Sequence, residues 1–246
     1  MNTTAIILAG GKSSRMGRDK ALLELGGLTV LERLIRELEP VASKIVIAAG
    51  HAAEYQRFGF EVVTDRFPSA GPLAGLHAGL ESSATQWNLA VACDTPFANR
   101  GLFRALLERA EAAEAAGARA AGSAGDLPAD SAGAPAGFAA AEPSLPRTGP
   151  SPSPARVEAI LARTEGRVHP LLAAYRRSVL PGLEARLREG RLKMTAWTDT
   201  LRTEYIEGEA LALASGLPSE WCAFNMNKPE DYEQARTWLE SGRLAD

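Results

Sequence analysis

The stretch Ala5-Ile6-Ile7-Leu8-Ala9-Gly10-Gly11-Lys12-Ser13-Ser14-Arg15-Met16-Gly17-Arg18-Asp19-Lys20 decides how the rest of the chain is read. An apolar run with the look of a buried strand stops at two glycines, and a basic loop follows. Gly10 and Gly11 let the backbone turn with positive φ and bring main-chain N–H groups close to an anion. Arg15 and Lys20 add a planar fork and a point charge to the same loop. A plain strand-to-loop turn with a solvated basic rim explains the loop equally well. The loop alone does not choose, and it carries neither the G-K-[ST] ending of a P-loop nor a G-x-G-x-x-G pattern.

Outward from this stretch, strand and helix signals alternate. Thr29-Val30-Leu31-Glu32 has the form of a capping box, and Leu31, Leu34, Ile35 and Leu38 follow at helical spacing until Pro40. Lys44 to Ala49 reads as a second strand and Glu61 to Thr64 as a short third one. The loop Asp65 to Pro72 then feeds a helix carrying Leu73, Leu76 and Leu80, with Pro72 suited to its first turn. Asn88 to Cys93 reads as a fourth strand that stops at Asp94-Thr95-Pro96, and a helix starting around Leu102 is expected to end near Ala116. This alternation predicts an α/β fold of three layers, a mostly parallel sheet with helices on both faces. Loops after the strands gather on one sheet edge, where such folds bind ligands. Gly10 to Lys20, Asp65 to Pro72 and Asp94 to Pro96 all belong to that edge.

Residues 118–155 are built of Ala, Gly, Pro and Ser and hold seven of the fifteen prolines. Without hydrophobic periodicity the segment cannot offset its conformational entropy, so it reads as a disordered insertion within one domain spanning residues 1–246. Beyond it, Arg156 to Leu161 and Leu171 to Tyr175 read as two strands joined by a turn over Gly166 to Pro170, a departure from the parallel pattern. Leu180, Leu183 and Leu187 indicate a helix, followed by the basic cluster Arg186, Arg188, Arg191 and Lys193. A short strand at Thr203 to Ile206 and a last helix with Tyr232, Ala235 and Leu239 on one face complete the chain.

With 246 residues, 46% hydrophobic content and a net charge of −3, bulk nucleic-acid binding is not expected. No apolar run approaches the ~20 residues of a membrane span, and no signal-peptide pattern opens the chain, so a cytoplasmic location is expected. Cys93 and Cys222 lack metal or redox spacing and read as packed free thiols.

Asp94, at the end of a buried strand, can hold a hard cation such as Mg²⁺ or can cap a turn. Asn225 and Asn227 sit at alternate positions around Met226, so both face one way, toward a metal or phosphate or into a helix cap. His169 before Pro170 has the look of a packed residue, and His51 and His77 have no partner in sequence.

Leu8-Ala9-Gly10-Gly11-x-Ser13-x-Arg15-Met16-Gly17-x-Asp19-Lys20 resembles the signature of nucleotidyltransferases. Together with Gly71-Pro72-Leu73-Ala74-Gly75, Cys93-Asp94-Thr95-Pro96, His169-Pro170-Leu171 and Asn225 to Asp231, the chain resembles the molybdenum cofactor guanylyltransferases (MobA-like). The resemblance spans most of the chain outside residues 118–155. It implies a Rossmann-like nucleotidyltransferase fold and transfer of GMP from GTP to the terminal phosphate of molybdopterin, with release of pyrophosphate. Leu8, Ala9, Gly10 and Gly11 would contact the nucleotide, Arg15 and Lys20 its phosphates, and Asp65 and Gly75 would position the nucleoside. Asp94 would hold Mg²⁺ with Asn227, while His169, Arg191, Lys193 and Asn225 are the acceptor-site candidates. Cofactor-delivery or target-enzyme proteins would be its macromolecular partners. Alternatives are a cytidylyltransferase or sugar-phosphate nucleotidyltransferase of the same fold, or a binding module without turnover.

Overall fold

The structure, a computed structural model, describes residues 1–9, 19–50, 53–123 and 156–242. Gly10, Gly11, Arg15 and His51, and most of the segment read as an insertion, lie outside the described residues. Among the described residues, seven strands form one sheet in the order β5-β4-β1-β6-β8-β7-β9. They are β1 (Thr3–Ala9), β4 (Lys44–Ala49), β5 (Glu61–Val63), β6 (Trp87–Ala92), β7 (Ala159–Thr164), β8 (Arg167–Arg176) and β9 (Thr203–Glu207). A two-stranded hairpin, β2 (Glu24–Leu25) and β3 (Leu28–Thr29), stands apart, turning through Gly26 and Gly27 at positive φ.

The sheet pairs β5, β4, β1 and β6 in parallel, and β9 runs parallel to β7. Only β8 is antiparallel to its neighbours. It begins at Arg167, so the turn is tighter than the sequence suggested and consists of Glu165 and Gly166, both at positive φ. Pro170, which has no N–H, is tolerated mid-strand because pairing jumps there: Leu161 faces Ala173, whereas the next residue, Ala162, faces His169. That bulge bends the chain at the edge where β6 ends.

Helices cover both faces. The helices α1 (Val30–Leu38), α3 (Arg100–Ser123), α6 (Gly208–Ser215), α7 (Ser219–Cys222) and α8 (Pro229–Glu240) share one buried cluster with Ala5, Ile7 and Ala9 of β1. On the other face α2 (Pro72–Ser82), α4 (Leu180–Arg188) and α5 (Met194–Thr198) pack on Ile6, Ala90 and Ala173. The expected three-layer α/β fold is what the chain adopts. Thr29 caps α1 reciprocally with Glu32, and Pro72 opens α2. The third helix runs on to Ser123, past the Ala118 boundary expected for the insertion, because alanine is the strongest helix former. On α8 the fully buried contacts are Ala235 and Trp238, with Tyr232 and Leu239 partly buried beside them. Both cysteines are buried and free. No helix among the described residues is long and apolar enough to cross a membrane.

Small residues let α2 lie close to β1. A Cβ on Gly79 would sit 2.3 Å from Ile6 Cγ2, and one on Gly75 would sit 3.3 Å from Leu8 Cδ2. Helix propensity alone would make Gly79→Ala stabilising by about 1 kcal/mol, whereas overpacking costs about 1–3 kcal/mol. Clash wins at this distance. Chemical denaturation of Gly79→Ala is therefore expected to show a loss of stability, and a gain would mean that α2 does not approach β1 this closely.

Candidate active site at the carboxyl edge of the sheet

Asp94 follows β6 at the centre of the sheet, and the chain's C-terminal segment crosses in front of it. The Met226 N–H donates to the Asp94 carbonyl at 2.7 Å. Met226 itself is buried, so its neighbours Asn225 and Asn227 are left on the cleft side. With its amide nitrogen turned to the carboxylate, Asn225 donates to Asp94 Oδ1 at 3.0 Å and Oδ2 at 2.9 Å. The opposite orientation puts three oxygens together, an arrangement that only a shared cation would make favourable. Lys20 Nζ donates to Asn227 Oδ1 at 2.8 Å. Residues far apart in sequence thus meet at one point: Lys20, Asp94, Asn225 and Asn227.

Lys20 is held there by its neighbours. A short 3₁₀ turn, Lys20–Leu22, is capped by Asp19, whose Oδ1 accepts from the Ala21 N–H at 3.0 Å, and the buried Tyr55 hydroxyl donates to the other carboxylate oxygen. This gives Asp19 a structural reading: it orients the turn that carries Lys20.

The cleft beside Asp94 has a volume of about 460 Å³. Its walls come from β8 (Arg167, His169, Pro170), from α5 (Met194, Thr195, Thr198) and from Pro72 at the start of α2, with Asn225 at the rim. Burial pushes the Asp94 carboxyl upward, while the charges of Lys20 and Arg167 pull it back. A desolvated carboxylate suits Mg²⁺, which takes one or two carboxylates and completes its shell with phosphate and water, and Asn225 would turn its amide oxygen toward such an ion. Among the described residues no cluster of three His, Cys, Asp or Glu offers a richer metal site.

The structure separates the residues expected to bind the acceptor. His169 is in the cleft wall, but its Nε2 is committed to Thr164 Oγ1 at 2.7 Å. Burial first, then the charge of Arg167, lowers its pKa to about 4, so near neutral pH it brings no positive charge. Lys193 is exposed at the start of α5, next to Met194. Arg191 does not reach this cleft. It lines a second cavity with Glu158 and Arg202, which precede β7 and β9 at the opposite edge of the sheet. The reversal of β8 starts α4 from the edge opposite Asp94, and the chain returns to the cleft only at α5. Asp65 lies at the end of β5, half-buried. Gly75 packs on Leu8 and Ala48, at the carboxyl ends of β1 and β4.

Sequence reasoning missed Arg167, Met194, Thr195 and Thr198. Arg167 had a signal, since it follows a glycine turn and heads a strand. The α5 residues had none, because five residues are too few for periodicity.

A mostly parallel α/β/α sheet with a basic residue, a carboxylate and two amides at its carboxyl edge has the layout of a ligand site, and the relatives of this chain make it a nucleotidyltransferase. The chain belongs to the family described as the MobA-like NTP transferase domain, whose model matches residues 5–203. It is 30% identical over 233 residues to a probable molybdenum cofactor guanylyltransferase of Carboxydothermus hydrogenoformans, covering 95% of this chain and 94% of that one. A probable molybdenum cofactor guanylyltransferase of Pelotomaculum thermopropionicum is 29% identical over 243 residues, with 99% and 96% coverage. Among solved structures, molybdopterin-guanine dinucleotide biosynthesis protein A from Archaeoglobus fulgidus superposes with a TM-score of 0.68 at 20% identity, covering 97% and 99% of the two chains. The 2-C-methyl-D-erythritol 4-phosphate cytidylyltransferase of Thermus thermophilus shares the fold at a TM-score of 0.57 and 19% identity, with 98% and 100% coverage.

His169 makes a pH prediction. Its folded pKa lies below the unfolded value of about 6.5, so its contribution to stability is complete above that value and is lost as pH falls toward about 4. Denaturation measured across this window is expected to show declining stability, with a shallower decline in His169→Gln. Parallel profiles for the two proteins would contradict a neutral buried imidazole.

Proposed function

We propose that the protein transfers GMP from GTP to the terminal phosphate of molybdopterin, releasing pyrophosphate, with Mg²⁺ as cofactor. The observation that carries this reading is the meeting of Lys20, Asp94, Asn225 and Asn227 beside a cleft of about 460 Å³. The names of the full-length relatives supply the acceptor and the base.

The chemistry asks for positioning and charge neutralisation more than for proton transfer. An acceptor phosphate is already ionised near neutral pH, so no general base is required, and a neutral His169 is consistent with that. The acceptor oxygen attacks the α-phosphorus of GTP in line as the bond to the β-phosphate oxygen breaks, and pyrophosphate departs. Lys20 offsets charge on the departing phosphates, and Arg15 in the first loop adds to it. Asp94 would hold Mg²⁺ together with an amide oxygen of Asn225 or Asn227, and the ion supplies neutralisation of phosphate charge. Arg167, Lys193, Thr195 and Thr198 line or border the side of the cleft where the acceptor would enter. The nucleoside would lie over Leu8, Ala9 and Gly75, with Gly10, Gly11 and Asp65 at its margins. Base choice then rests on backbone groups near Leu8 and Ala48, which pack against Gly75. No titratable base-reading side chain is needed there.

Lys20→Ala and Asp94→Ala are each expected to cut pyrophosphate release, assayed with GTP, Mg²⁺ and molybdopterin, by on the order of 100-fold or more. Arg167→Ala is expected to act mainly on KM for the acceptor. Near-normal turnover in Lys20→Ala or Asp94→Ala would remove the site assignment.

A further inference from the structure

The second cavity, about 430 Å³ in volume, lies at the edge of the sheet opposite Asp94. Its walls carry Arg186, Arg191 and Arg202 against a single acid, Glu158. Arg202 is paired with Glu158 at 3.1 Å, and Arg191 with Glu189 outside the cavity. Arg186 is different. It makes no ion pair among the described residues, and its Nε is buried without a hydrogen-bond partner. Leaving such a donor unsatisfied is unfavourable, and the three arginines outnumber the one acid of the cavity wall.

A further feature sits at the same place. Trp197, buried and packed on Tyr175 at 5.2 Å between ring centroids, closes the cavity floor. We propose that this cavity binds a small phosphate-bearing anion as an effector, at a site separate from the catalytic cleft. Guanidinium forks match phosphate oxygens two at a time, and the orphaned Arg186 donor gains a partner on binding. The volume suits a small phosphorylated molecule, not a polymer.

A route to the cleft exists in α5. Met194, Thr195 and Thr198 line the catalytic cleft, while Trp197 and, just beyond the helix, Leu201 line the arginine cavity. An anion that shifts Trp197 shifts the wall of the acceptor side.

Binding itself does not depend on the reaction assigned to the cleft, and the test separates the two. Calorimetric titration of the full chain with inorganic pyrophosphate, without divalent metal, is expected to show two sites. Arg191→Ala, whose side chain is 60% exposed and whose loss spares the core, is expected to weaken one site at least tenfold, and Arg186→Gln/Arg191→Ala to abolish it. Lys20→Ala is expected to remove the other site and leave this one. Wild-type binding in both arginine variants, or loss of all binding in Lys20→Ala, overturns the proposal; two intact sites in Lys20→Ala instead count against the cleft assignment alone. For the coupling, added inorganic phosphate is expected to change turnover at saturating GTP in the wild type and not in Arg191→Ala. An equal change in both proteins overturns it.

Discussion

One hydrogen bond carries the construction of this site: the Met226 N–H to the Asp94 carbonyl, 2.7 Å long, joins the C-terminal segment to the end of the central strand β6. Aromatic packing holds that segment in register. Trp221 and Trp238 stack at 4.5 Å between ring centroids, and Phe97, three residues beyond Asp94, meets Trp238 edge-on at 4.7 Å. Such pairs contribute about 0.5–1.5 kcal/mol each beyond their burial, and here they join the Asp94 loop, α7 and α8 into one unit. Without that clamp the two asparagines would have no fixed relation to Asp94 or Lys20.

Charge placement follows from the clamp. Asp94 is desolvated by the same packing that fixes it, so its carboxyl is pushed up against the downward pull of the Lys20 and Arg167 charges. A cation and phosphates arriving together suit such a carboxylate better than water does. His169 is kept neutral by burial and by Arg167, which leaves Arg167 as the positive charge in the wall of the cleft.

Much of the fold was legible because its signals are local. The run Ala5 to Ala9, the capping box at Thr29, the Pro72 helix start and the Asp94-Thr95-Pro96 stop each announce an element within a few residues. Asp94 and Lys20 were legible for the same reason. Arg191 was misplaced because its address depends on topology: β8 runs backward, so α4 and the turn carrying Arg191 begin from the far edge. The β8 start was misjudged because proline inside a strand reads as a break, and only the bulge in its pairing with β7 makes Pro170 acceptable. The α5 wall and the partners of Arg167 arise from contacts between distant segments, which no window of sequence contains.

The most direct measurement incubates the protein with Mg²⁺ and molybdopterin and, in turn, GTP, CTP, ATP and UTP, following pyrophosphate release and the dinucleotide product. Guanylyl transfer in this cleft requires product with GTP alone. Product with CTP in its place, or no product with any of the four nucleotides, would contradict it.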